Sequence, residues 1–137
     1  MEEKLKHIFY EMIVFAMIYY LGIKMFKDQY LFAWLIFNVR FSLIMISIPL
    51  LLVLLNKKVV SVFMTIGITL GIFIGNFLGN YFREISIAKI DTTMNAQEIA
   101  QLHLHKGFYI MMAVIFTSII LGIIFQTREN KLNINNS

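Results

Sequence analysis

The chain has 137 residues, of which 59% are hydrophobic and 15% charged, with a net charge of +4 and no cysteine. A soluble domain is about 45–50% apolar and about 25% charged, so too little polar surface is available here to cover a soluble globule. The absence of cysteine removes disulfides, thiolate nucleophiles and thiolate metal sites, and the scattered basic residues, with no run of five, do not support a nucleic-acid footprint.

A membrane-crossing helix needs about 20 mostly apolar residues to cover about 30 Å of hydrocarbon. The first candidate span is Ile8–Phe26, with Glu11 and Lys24 near its ends. Lys4 and Lys6 precede it as a signal peptide would require, but Glu11 interrupts the apolar stretch and no small-residue cleavage site follows, so the segment is expected to stay. Glu11 lies about three residues into this span, or about 4.5 Å, with His7 one turn earlier on the same face. Two readings follow for Glu11. It is an interfacial carboxylate paired with His7, Lys57 or Lys58, or it is a proton-coupled or cation-binding group.

The second span falls within Leu31–Leu55, most compactly over residues 35–55, and contains Asn38, Arg40 and Pro49. The link Asn56-Lys57-Lys58 is short enough to force an antiparallel helix hairpin. The third span is Val59–Phe82, and it carries Gly67, Gly71, Gly75 and Gly79 at every fourth position. Glycine costs about 1 kcal/mol relative to alanine inside a helix. Four in register need a reason, and close approach of a second helix supplies one. Lipid tails are as apolar as leucine, so helices in a bilayer associate through tight packing, for which small residues four apart make room. The row therefore predicts that span three is central, packed against the protein's own second or fourth span or against a second copy. A narrow substrate path along exposed carbonyls is a third reading.

The connection 83–107 is the one link long enough to hold structure. Asn95 precedes Glu98 by three residues, as in a capping box, and the spacing of Ile99, Leu102 and Lys106 predicts a short amphipathic helix over Asn95–Lys106. His103 and His105 are two apart and point about 200° from each other on a helix, unlike a helical metal pair spaced by three or four. With His7 at the other side, no metal site is expected, and His103, His105 and Lys106 read as an interfacial collar. The fourth span is Phe108–Phe125, without charge, followed by a polar, asparagine-rich tail, 126–137, expected to be loose.

These runs predict an all-α integral membrane protein of four transmembrane helices, in one domain over residues 1–125. An even number of spans puts both termini on one side. Tyr10, Tyr30, Trp34, Tyr81 and Tyr109 near the span ends fit an aromatic belt. Lys4, Lys6, Lys57, Lys58, Arg128 and Lys131 lie on the terminal side; Lys24, Lys27, Arg83, Lys89 and Lys106 lie on the other, with Arg40 leaning that way. That balance sets no orientation. Heavy use of Ile, Lys and Asn points to an AT-rich bacterial source and hence to a plasma membrane.

Arg40, Asn38, Asn76, Asn80 and Glu84 share a depth and are expected to converge. The cluster either satisfies itself, with Arg40 on Glu84 and the amides bonding between helices, or presents an arginine fork to an anion or lipid phosphate. There is no nucleophile elbow, H-E-x-x-H, phosphate loop or carboxylate pair within one span, so neither enzymatic activity nor a cofactor is expected. The remaining function classes are an accessory or regulatory membrane protein packing with itself or a membrane partner, a small transporter or channel subunit, and an immunity or resistance protein against a membrane-active peptide.

Overall fold

The computed structural model describes residues 2–135, with side chains as far as Leu132. Among the described residues the chain is helical throughout, with no strand: α1 Glu2–Lys24, α2 Tyr30–Phe37, α3 Val39–Leu54, α4 Lys58–Ile87, α5 Ala96–Leu102 and α6 Gly107–Asn135. Three helical segments are long and apolar enough to cross a membrane, or four if α2 and α3 together make one span.

That pair departs from the expected second span. α2 and α3 meet at 89° around Asn38 instead of running on as one helix. Pro49 does not cause the break, since it lies inside α3. At the break, polar side chains turn back onto backbone carbonyls of α2. Asn38 Nδ2 donates to Trp34 O at 2.8 Å, and Ser42 Oγ donates to Leu35 O at 2.7 Å. Polar side chains that reach their own backbone in this way compete with helix continuation. At 1.5 Å per residue, α3 alone is about 24 Å long, shorter than the about 30 Å of a bilayer's hydrocarbon, and α2 lies at a steep angle to its start.

The other ends also shift. α1 begins at Glu2, well before the apolar run, with Glu2 and Glu3 in its first turn, where the helix dipole favours acids, and Lys24 in its last. The tail expected to be loose continues α6 to Asn135; Asn136 and Ser137 lie outside the described residues. In the first polar turns of that extension, Gln126 Nε2 donates to Asn130 Oδ1 at 3.3 Å and Thr127 Oγ1 to Ile123 O at 2.8 Å. The capping box forms as the spacing predicts, with Asn95 and Glu98 exchanging two 2.9 Å hydrogen bonds. Its helix stops at Leu102, however, not Lys106. The hairpin link turns through Asn56, which takes φ +62°, a left-handed conformation that asparagine tolerates better than most residues.

α4 touches each of the other five helices, and most closely α6. The two run antiparallel, and the glycine row faces the contact. A Cβ on Gly67 would meet Ser118 at 2.5 Å, one on Gly71 would meet Met111 O at 3.0 Å, and one on Gly75 would meet Gly107 O at 2.6 Å. Gly122 on α6 returns the favour against Val60 and Phe63 at 3.0 and 2.9 Å. Behind this seam one apolar cluster joins α1, α2, α3, α4 and α6, through Phe15, Leu31, Phe32, Met45, Ile68 and Met111. Phe26 stacks on Phe32 with ring centroids 4.9 Å apart, closing the α1–α2 corner.

Candidate functional site

Two sets of polar groups lie inside the bundle, one toward each end of α4. The first is built around Asn76, which is 0% exposed. α2 begins with free backbone N–H groups, as every helix does, and its N-cap Gln29 offers no side-chain cap. Asn76 supplies the cap from another helix: Leu31 N donates to Asn76 Oδ1 at 3.0 Å. Asn76 Nδ2 and Asn80 Nδ2 both donate to Gln29 Oε1, at 2.9 and 2.7 Å. Asn80 Oδ1 lies 2.8 Å from His105 Nε2, and Gly107 N donates to His105 Nδ1 at 3.1 Å. Because Nδ1 accepts, the proton of the neutral ring sits on Nε2 and points at Asn80. Tyr30 stacks over the imidazole at 4.2 Å. The set ties the α1–α2 corner and the start of α6 to one face of α4.

Two local features lie at this network. α5 ends at Leu102, and His105, three residues on, lies off the helical path against Asn80. Gly79 has no room for a side chain because His105 Cε1 and the Gly107 backbone occupy the space.

The expected cluster is therefore assembled differently. Asn76 and Asn80 share a network with Gln29 and His105. Arg40, Asn38 and Glu84 are exposed and stand apart from it, and among the described residues Arg40 and Glu84 form no salt bridge with each other. Arg40 follows the 89° bend at Asn38, so the straight-helix picture that gave these residues one depth does not apply to it. His103, at the end of α5, is exposed. Gln29 and His105 were not legible as partners. The only signal was a lone amide in a short link and a histidine beside a glycine at a helix start.

His105 lies in the turn before α6 and is 7% exposed. Burial, and secondarily the Arg83 guanidinium, hold its proton affinity below the ordinary histidine value. Protonation would also set a second ring N–H against the Gly107 N–H. A group with a depressed folded-state pKa that is needed neutral contributes stability in full above its unfolded value of about 6.5, and loses it as pH falls through the folded value. The melting temperature is therefore expected to fall between about pH 7.5 and about pH 5. His105→Phe should show a shallower fall, and equal slopes for the two proteins would remove His105 from this role.

The second set is at the other end. Glu11 is 5% exposed on α1. Its partner is neither His7, Lys57 nor Lys58 but Ser61, whose Oγ lies 2.6 Å from Glu11 Oε1 and 2.7 Å from Pro49 O. Lys58 is engaged instead with Glu3 at 2.9 Å, and Lys4 Nζ donates to Leu54 O at 3.0 Å. Glu11 Oε2 and Thr65 Oγ1 are buried without a hydrogen-bond partner. Buried polar atoms are nearly always paired. Both residues line one open groove of about 330 Å³ between α1 and α4, with His7, Tyr10 and Thr69. Glu11 was legible as a candidate; Ser61 and Thr65 were not, because one hydroxyl in an apolar helix gives no sequence signal of what it faces.

Comparison with protein-family models, with curated proteins and with solved structures finds no match to this chain.

Proposed function

We propose that this chain is an integral, multi-pass membrane protein without enzymatic activity, resident in a bacterial plasma membrane, which serves as an accessory or regulatory subunit packing with itself or with a membrane partner. One observation supports this most. The polar groups of the Gln29, Asn76, Asn80 and His105 network are used on one another, so that end of the bundle is built to hold helices together and not to receive a solute. The glycine row is likewise occupied by α6, which leaves the outward apolar faces as the surfaces for lipid or a partner. On this reading α1, the bent pair α2–α3, α4 and α6 are the four crossings, and α5 lies near the headgroups.

The test has two arms. Purified chain reconstituted alone into dye-loaded liposomes is expected to leak protons and small ions no faster than empty vesicles. A photo-crosslinking residue at Phe116 or Ile120, both exposed on α6, is expected to yield one discrete adduct in native membranes, either with a second copy or with another membrane protein. Flux by the chain alone would instead favour a small transporter or channel subunit. That second reading rests on Glu11, a buried carboxylate with an unpartnered oxygen beside a groove.

A further inference from the structure

Among the described residues, one side-chain carboxyl group is buried, that of Glu11. Every Asp and Glu other than Glu11 is exposed. What surrounds Glu11 constrains its protonation by simple counting. Ser61 Oγ lies within hydrogen-bond distance of two oxygens, Glu11 Oε1 and Pro49 O, on different helices. A hydroxyl has one proton to donate. A backbone carbonyl has none, and an ionised carboxylate has none. One proton shared between two acceptors makes a weak three-centre bond; two full hydrogen bonds at 2.6 and 2.7 Å through one hydroxyl oxygen require a second proton, and the atom placed to carry it is Glu11 Oε1.

Apart from the His7 imidazole, the neighbours supply no charge that would favour the ionised form instead. On α1, His7 and Tyr10 share the groove with Glu11. α4 presents Thr65 and Thr69 to the groove and Ser61 to the carboxyl itself, all uncharged, and its Lys58 is paired with Glu3. α3 presents Pro49. α6 contributes no residue to this groove; its Glu129 lines the adjoining one, with His7 and Lys58. An ionised carboxylate here would have one oxygen sharing a serine proton with a competing carbonyl and the other oxygen buried and unpartnered, a poor exchange for hydration.

The geometry points to Glu11 as a proton-binding site inside the membrane domain, occupied as observed: Glu11 Oε1–H donates to Ser61 Oγ, Ser61 donates to Pro49 O, and the second carboxyl oxygen, Oε2, stays unpaired beside the groove. The ligand is a proton, exchanged with a base of the aqueous phase, water or buffer. Release breaks the Oε1–H bond and leaves its electron pair on the carboxylate. Ser61 then turns its single proton onto Glu11, and Pro49 O loses that partner. The occupancy of a site on α1 is thereby felt in α3 through one hydroxyl on α4. The inference goes beyond the proposed function and holds whether the chain acts as a subunit or as a carrier.

The test uses the full chain in detergent or nanodiscs. Infrared difference spectroscopy is expected to show the carbonyl stretch of a protonated carboxylic acid at neutral pH. That band should be missing in Glu11→Gln and displaced in Ser61→Ala. Glu11→Gln keeps an N–H donor toward Ser61 and is expected to fold with an unchanged melting temperature, whereas Glu11→Ala removes the donor and should melt lower. As a second readout on the unmutated protein, dicyclohexylcarbodiimide, which attacks protonated carboxyls in apolar surroundings, should label Glu11 selectively and more slowly as pH rises. No acid band at neutral pH, a band that survives Glu11→Gln, or labelling spread over the exposed carboxylates would overturn the assignment. Neither readout depends on flux or on a captured partner, so the failure of the functional reading would leave this one standing, and the reverse.

Discussion

Gly75→Ala is expected to destabilise the bundle, although alanine is the better helix former by about 1 kcal/mol. The added methyl would sit 2.6 Å from Gly107 O and 3.0 Å from Met111 Cβ. The first of these is backbone, which cannot rotate away, so α4 and α6 must separate along their length. Overpacking of this kind costs about 1–3 kcal/mol, and separation also forfeits dispersion contacts, which are what associates helices in lipid. The cost outweighs the propensity gain, and Gly75→Val, with two more carbons, should be worse. The rest of the row predicts a gradient. Gly71→Ala, facing Met111 O at 3.0 Å, should cost less, and Gly79→Ala should cost as much as Gly75→Ala because it displaces His105 and Gly107 together. Gly22 is the control: its Cβ would meet Phe32 Cδ1 at 3.2 Å, the edge of a ring that can shift by a few tenths of an ångström. Thermal melts in mild detergent would check the order. If Gly75→Ala melts with Gly22→Ala, the α4–α6 seam is not as close as described.

Asn76→Leu should also be among the most damaging single changes. The two side chains share heavy-atom count and branching, so no cavity opens; the bulkier methyl groups add some overpacking to the lost hydrogen bonds. Leucine leaves Leu31 N–H buried without an acceptor and removes one of the two donors to Gln29 Oε1. An orphaned buried donor costs about 1–3 kcal/mol, and the loss falls at the first turn of α2, where no local side chain can substitute. Asn76→Asp is the informative companion. It keeps the acceptor for Leu31 N–H but brings a second acceptor against Gln29 Oε1, so it too should destabilise. Asn80→Ala should cost less, since Asn80 is only half-buried. Hydrogen exchange at Leu31 is the direct measurement. Its amide should become fast in Asn76→Leu and stay slow in Asn80→Ala, and protection that persists in Asn76→Leu would mean that the cap comes from elsewhere.

α4 is where the chain stores its specificity, with glycines on the face toward α6 and amides toward α2 and His105. The two faces meet at Gly75 and Gly79, which touch Leu31 and His105, whereas Gly67 and Gly71 touch only α6, so a change at either of those should leave the amide network's signature intact. A double substitution at Gly71 and Asn80 should therefore approach additivity, as sites without shared partners generally do.

Apolar run length alone predicts the helices that later prove long enough to cross a membrane, because hydropathy is a local property of consecutive residues. The Asn95–Glu98 capping box and the tight turn through Asn56 were equally local, each decided by side chains within four residues of the backbone they serve. The four-residue spacing of glycines was visible, and so was the candidacy of Glu11, Asn76 and Asn80. Tertiary structure alone decided what those groups meet. At the 89° bend, Asn38 and Ser42 turn back onto Trp34 and Leu35, and Arg40 follows that bend, not a straight helix. Glu11 meets Ser61 at a separation of 50 residues, Asn76 meets Leu31 at 45, and Asn80 meets His105 at 25. Periodicity ranks which faces of a helix are apolar, but a hydrogen bond needs a partner placed within about 3 Å, and that placement follows from how the helices cross, which no single stretch of the chain encodes.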